Sequence, residues 1–197
     1  MTEGLGSKRL KTKAHIMNVA AQLFSDKGYA ATSMDQLAKA CKLTKGALYD
    51  HFNGKEDVYL QSVSNRVDTA LAWVDEQAET DVSLSAQRRL FSYAESFLIV
   101  LDRDPVIRRL ILRWLTDAAA FDTETLIQQR IIDSFNTLLN LIAEYRPKLN
   151  AQKYAYSFYC SAILGDDMRR FAEFLTPEVK TINTVEGLMA HFKESLS

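Results

Sequence analysis

The stretch from Thr32 to Lys55, TSMDQLAKACKLTKGALYDHFNGK, constrains this chain more than any other, because it reads as two short capped helices joined by a tight turn. Thr32 or Ser33 is placed to cap the first helix. Asp35 or Gln36, about three residues on, completes a capping box that satisfies orphan N–H groups. Leu37, Ala38 and Cys41 then form a small apolar face at helical spacing. After Cys41 the chain must turn within about three residues, as helix-turn-helix units do. Thr44 is positioned to cap a second helix whose inward face is Leu43, Ala47, Leu48 and Phe52. Its remaining side chains, Thr44, Lys45, Tyr49, Asp50 and His51, are of the kind that reach phosphates and base edges. Gly46 adds no side chain, so the first turn can approach a ligand closely. A unit of this kind lays its second helix in the major groove of DNA while the first braces it across the backbone.

Residues 9 to 60 resemble the N-terminal domain of the TetR family of bacterial transcriptional regulators. The resemblance is carried by Ala20, Phe24, Gly28, Tyr29, Thr32, Leu37, Ala38 and Ala40, by the run Leu43-Thr44-Lys45-Gly46-Ala47-Leu48-Tyr49, and by His51-Phe52 and Lys55, spaced without a gap. It implies DNA contacts from Thr32, Ser33, Lys42, Thr44, Lys45, Gly46, Ala47, Tyr49, His51 and Lys55, with Thr44, Lys45 and Tyr49 first among them. Thr32, Ser33, His51 and Lys55 are the candidates for backbone phosphates. One departure is Lys42, which stands where the family usually has glycine. The residue after a helix commonly sits in the left-handed region, at a cost of roughly 1–2 kcal/mol for a non-glycine residue. The turn is therefore strained or differently shaped, and the ammonium either reaches a phosphate or is solvated.

Charge points the same way independently. Residues 1–55 carry nine Lys and Arg against four Asp and Glu, a net +5, while the remainder carries 15 against 21, a net −6. A basic head on an acidic body puts the attractive field where phosphates bind. Lys8, Arg9, Lys11 and Lys13 form an N-terminal arm that tracks the backbone or groove, or else a solvating tail. With 47% hydrophobic and 25% charged residues, the 197-residue chain can bury a substantial core in one or two domains. No apolar run approaches the roughly 18 residues of a membrane span, and the start is polar and basic, so a cytoplasmic protein without a membrane partner is expected. Cys41 and Cys160 have no metal-ligand spacing, so neither a disulfide framework nor a metal site is expected, and no cofactor motif is present. His15, His51 and His191 are dispersed and there is no Gly-rich phosphate loop or nucleophile elbow, so an enzyme is not expected.

The remainder reads as helix, giving an all-α chain: a helix-turn-helix domain over 1–55 and a helical bundle over 56–197. The first helix runs from about Arg9 to Lys27 with Ile16, Val19, Ala20 and Leu23 inward, ended by Gly28. A long fourth helix starts near Lys55 and carries Val58, Val63, Val67, Leu71 and Val74. Further helices start near Ser83, at Asp104-Pro105, near Thr123, after Asn150 and before Val185.

The family resemblance implies that this body dimerises and encloses a ligand pocket. For a homodimer face the candidates are Tyr159, Ile163, Phe171, Phe174, Leu188 and Phe192. For a pocket they are Tyr93, Phe97, Arg113, Trp114, Phe121, Phe135 and Phe158, with Arg109, Asp166 and Asp167 as further polar candidates. Aromatic residues at helical spacing are more often intramolecular core. The expected function is a dimeric repressor on double-stranded DNA with a palindromic operator, released by a small apolar or aromatic effector. The alternatives are an effector-independent or architectural DNA binder, and a helical-bundle enzyme or apolar carrier.

Overall fold

The computed structural model describes residues 3–117, 126–175 and 184–197. The described residues form helices and no strand: α1 (Glu3–Lys27), α2 (Met34–Cys41), α3 (Lys45–Tyr49), α4 (Lys55–Gln77), α5 (Ala86–Arg103), α6 (Pro105–Asp117), α7 (Leu126–Tyr145), α8 (Ala151–Leu175) and α9 (Val185–Ser195). None of these is long and apolar enough to cross a membrane. The chain divides into two compact units, Met1–Thr69 with Arg109–Ile127, and Ala70–Arg108 with Gln128–Ser197. The sequence places a boundary near Lys55; this division instead falls inside α4.

Packing within the first unit accounts for that extension. Ile16, Ala20, Ala21 and Phe24 of α1 are buried, as are Met34, Leu37, Ala38 and Cys41 of α2, Leu48 of α3, and Phe52. The first half of α4 contributes Val58, Tyr59 and Val63, all fully buried. The Tyr59 ring meets Phe24 edge-on at 5.0 Å and Tyr29 at 5.1 Å. Such pairs add about 0.5–1.5 kcal/mol beyond burial. The segment from Arg109 joins through α1's C-terminus, whose last carbonyls have no partner within the helix. Arg113 supplies one: its Nε donates to Ser25 O and its Nη2 to Asp26 O, both at 2.9 Å. Arg109 Nη2 lies 3.4 Å from Asp26 Oδ1. Gly28 ends α1 with φ +81°, and its N–H donates to Phe24 O at 2.8 Å. A Cβ there would stand 2.9 Å from Arg113 Nη1, so both backbone and space select glycine.

At its other end α1 begins at Glu3, well before the expected Arg9. The added stretch, Glu3-Gly4-Leu5-Gly6-Ser7-Lys8, holds two glycines, so local propensity does not account for this extension. Lys8, Arg9, Lys11 and Lys13 of the basic arm all lie within α1.

The second unit is built on caps that the sequence largely announces. Asn150 Oδ1 accepts from Lys153 N, Thr184 Oγ1 from Gly187 N, and Asp104 Oδ1 from Val106 N, ahead of or beside Pro105. Helix α5 is capped by Ser85 and not Ser83, because Ser83 is held in a turn by its N–H bond to Asp81 Oδ1. Leu90, Ala94, Leu98 and Leu101 of α5 are buried, with Leu138 and Ile142 of α7. Tyr93 OH lies 2.9 Å from Ser134 Oγ, which lies 2.5 Å from Tyr159 OH, forming a buried hydroxyl chain across α5, α7 and α8. Burial pushes both phenol pKa values up, Tyr159 well above its ordinary value, so both hydroxyls stay neutral.

Candidate nucleic-acid interface

The two short helices after α1 are fixed by their termini, since neither is long enough to be stable alone. Ser33 caps α2 with a full capping box: its Oγ accepts from Gln36 N at 3.2 Å while Gln36 Oε1 accepts from Ser33 N at 3.0 Å. Thr32, the other candidate, faces inward. Its Oγ1 donates to Gly28 O at 2.8 Å and the residue is only 2% exposed, so the expected phosphate contact is corrected to an internal brace.

Lys42 closes α2 in the left-handed region at φ 57°, ψ 39°. Its N–H donates to Lys39 O, and Leu43 N–H to Ala38 O at 2.9 Å, the paired bonds of a Schellman turn. The strained lysine expected from the sequence is thus present, and its side chain is exposed. Two residues later Thr44 caps α3, its Oγ1 accepting from Ala47 N at 3.2 Å.

Helix α3 spans five residues, Lys45–Tyr49, with Leu48 fully buried as its anchor and Ala47 half-buried beside it. Lys42, Thr44, Lys45 and Gly46 are exposed, and Tyr49 is 51% exposed despite its aromatic ring. Lys45 Nζ sits 3.2 Å from Asp35 Oδ2. Both groups are exposed, so this pair is worth about 1 kcal/mol at most and yields readily to a phosphate.

Asp50 and His51 fall beyond the end of α3 and not on its outward face. His51 is half-buried, with Nδ1 enclosed and its ring 6.5 Å from that of Phe52. Lys55 is also half-buried: Nζ donates to Tyr29 O at 3.0 Å and lies 4.2 Å above the Tyr29 ring. It ties the start of α4 to the loop between α1 and α2. Sequence reasoning placed Arg9 in the basic arm but missed its role inside the fold. Arg9 Nη2 donates to Asp50 O at 2.8 Å, capping the end of α3 from α1. The two residues are 41 apart in sequence, and no local pattern links them.

The body candidates separate. Arg113 and Trp114 belong to the first unit, where Arg113 is spent on α1's carbonyls, which corrects its reading as a pocket residue. Tyr93, Phe97, Phe135 and Phe158 belong to the second unit and share an aromatic cluster with Tyr159 and Phe192: Phe97–Tyr159 and Phe158–Phe192 centroids are each 4.7 Å apart, and Phe135–Tyr159 5.6 Å. Tyr159 and Phe192 are buried, so these two dimer candidates are corrected to core. Ile163 and Leu188 are half-exposed. Phe121 lies outside the described residues, as do the side chains of Asp166, Asp167, Phe171 and Phe174. Among the described residues no cluster of His, Cys, Asp or Glu has the arrangement of a metal site.

Residues 16–61 match the model of the bacterial regulatory proteins of the tetR family. The chain is 45% identical over 49 residues to the transcriptional regulator AcrR of Shigella flexneri, covering 25% of this chain and 23% of AcrR. It is 29% identical over 103 residues to the transcriptional activator FasR of Mycolicibacterium smegmatis, covering 52% of this chain and 46% of FasR. The chain thus spans less than half the length of these curated relatives. Its fold is similar to that of AibR, solved with isovaleryl coenzyme A and operator DNA, at a TM-score of 0.62 and 23% identity over 78% of this chain and 84% of that one. The capped α2–turn–α3 unit lies wholly within the matched segment and carries the motif residues in place. Over residues 16–61 the chain carries the domain of the tetR family of bacterial regulatory proteins.

Proposed function

We propose that this chain is a sequence-specific DNA-binding transcriptional regulator, acting as a homodimeric repressor on a palindromic operator. The observation that carries this reading is α3 itself. A five-residue helix, capped by Thr44 and pinned by Leu48, turns Lys45, Gly46 and Tyr49 outward inside the family-matched segment. Thr44, Lys45 and Tyr49 are assigned to the groove, with Ser33 and Lys42 toward flanking phosphates. No catalytic role is assigned to the chain.

Dimerisation is assigned to α8. Tyr156 and Leu164 are 66% and 42% exposed, and half-exposed Cys160 stands between them at four-residue intervals, giving one apolar stripe with Ile163 beside it. A two-fold homodimer carries two copies of α3, and successive major grooves lie about 34 Å apart, so an operator of two inverted half-sites is expected. The effector reading is supported by AibR, whose structure holds both an acyl-coenzyme A and operator DNA. It is also supported by the aromatic interior of the second unit, which suits a small apolar or aromatic molecule. A tenfold preference of effector for the form that does not bind DNA is worth about 1.4 kcal/mol, and operator then weakens effector binding by the same factor.

Selection of tight binders from a random duplex library tests this reading. The expected product is an inverted repeat whose half-site centres lie about 10 base pairs, or a multiple of that, apart. A library that emerges unenriched overturns sequence-specific binding.

A further inference from the structure

The N-terminal residues of α1 precede the family-matched segment, yet α1 touches the backbone at both ends of the α2–α3 turn and α3. His15 Nε2 donates to Cys41 O at 3.3 Å, just before the turn, and Arg9 Nη2 donates to Asp50 O at 2.8 Å, just after α3. Lys13, four residues from Arg9 and so on the same side of α1, lies 5.4 Å above the Phe52 ring. The first turns of α1 are therefore clamped along α3.

Two further lysines ride on that clamped helix. Lys8 and Lys11 are exposed and share a face with His15, at spacings of three and seven. With a rise of 1.5 Å per residue they stand about 10 Å and 6 Å along the axis from His15, on the side that meets the turn before α3. We infer that Lys8 and Lys11 are a second DNA-binding element, contacting duplex phosphates beside the groove that α3 enters, and that Arg9 is the positioning residue that holds them there. The inference rests on the DNA-binding reading. Its occupant follows from charge complementarity between two lysines and a polyanion, and from the clamps that hold the start of α1 against the ends of the α2–α3 turn and α3. A disordered arm would lose ordering entropy on binding; a helix already docked through Arg9 has largely lost it beforehand.

The full chain and a mixed-sequence duplex of about 30 base pairs provide the test, with affinity measured across a salt series so that no operator need be known. Wild type binds, with log Kd linear in log salt. Lys8→Ala/Lys11→Ala lowers the magnitude of that slope by about 0.9 per lost contact on each bound protomer, with an unchanged melting temperature. Lys8→Arg/Lys11→Arg restores it. Arg9→Ala lowers the slope comparably in wild type, and adds little in the double variant, because it acts through the two lysines. An unchanged slope in Lys8→Ala/Lys11→Ala overturns the phosphate contacts. A fully additive loss from Arg9→Ala overturns its positioning role. Failure of wild type to bind the duplex even at low salt overturns the DNA-binding reading, and this inference with it.

Discussion

At single positions, backbone geometry makes the sharpest statements. Lys42 holds φ 57° where glycine carries no steric penalty. Lys42→Gly removes roughly 1–2 kcal/mol of strain, offset by about 0.4–1 kcal/mol through a more flexible unfolded chain. The net expectation is a melting temperature about 2 °C higher, read by calorimetry; a lower value would contradict the strain. Lys45 carries a different prediction. Lys45→Ala weakens binding to all duplexes and lowers the salt slope by about one if its contact is to phosphate alone. Asp35→Asn frees the ammonium held 3.2 Å away and tightens binding modestly. Lys42 was legible because it stands where the family that this segment resembles usually has glycine. Thr32 was not: adjacent Thr32 and Ser33 are equally good caps on paper, and only the packed chain shows Thr32 bonded back to Gly28 O.

Among the elements, caps and core stripes were readable and partners were not. Ser33, Thr44, Asp104 and Asn150 announce helix starts through local chemistry alone, and each accepts a backbone N–H of the helix that follows it. Ser33→Ala removes the α2 cap and costs about 1 kcal/mol, measurable by denaturant titration. The aromatic residues of α5, α7 and α8 were not assignable, because helical spacing says which residues share a face and not which helix covers it. Tyr159 and Phe192 thus sit in the interior while neighbouring Tyr156 lies open. The hydroxyl chain of Tyr93, Ser134 and Tyr159 was invisible for the same reason, since each member comes from a different helix. Ser134→Ala strips the central partner from two buried phenols and costs about 1–3 kcal/mol, seen as a lower melting temperature. An unchanged value would mean that the hydroxyls find other partners at no cost.

For the whole molecule, the all-α class followed from spacing, and the charge split follows from composition. The net +5 over residues 1–55 against −6 over the rest sets a field that favours approach to phosphate through the basic part of the chain. The boundary near Lys55 was the least legible feature. The residues that extend the first unit, Arg109 and Arg113, lie more than eighty positions from the α1 carboxylate and carbonyls they meet. Assembly is testable at this scale: Tyr156→Asp with Leu164→Asp places two charges on the proposed α8 stripe and shifts sedimentation from dimer to monomer, while a persistent dimer would move the interface elsewhere. The central claim, that α3 reads DNA by sequence, is tested most directly by fluorescence anisotropy of the purified chain with DNA from upstream of its own gene and with a scrambled duplex, across a salt series. The account predicts binding that survives moderate salt on the upstream fragment alone and is lost in Tyr49→Ala; equal, steeply salt-sensitive binding to both duplexes would contradict it.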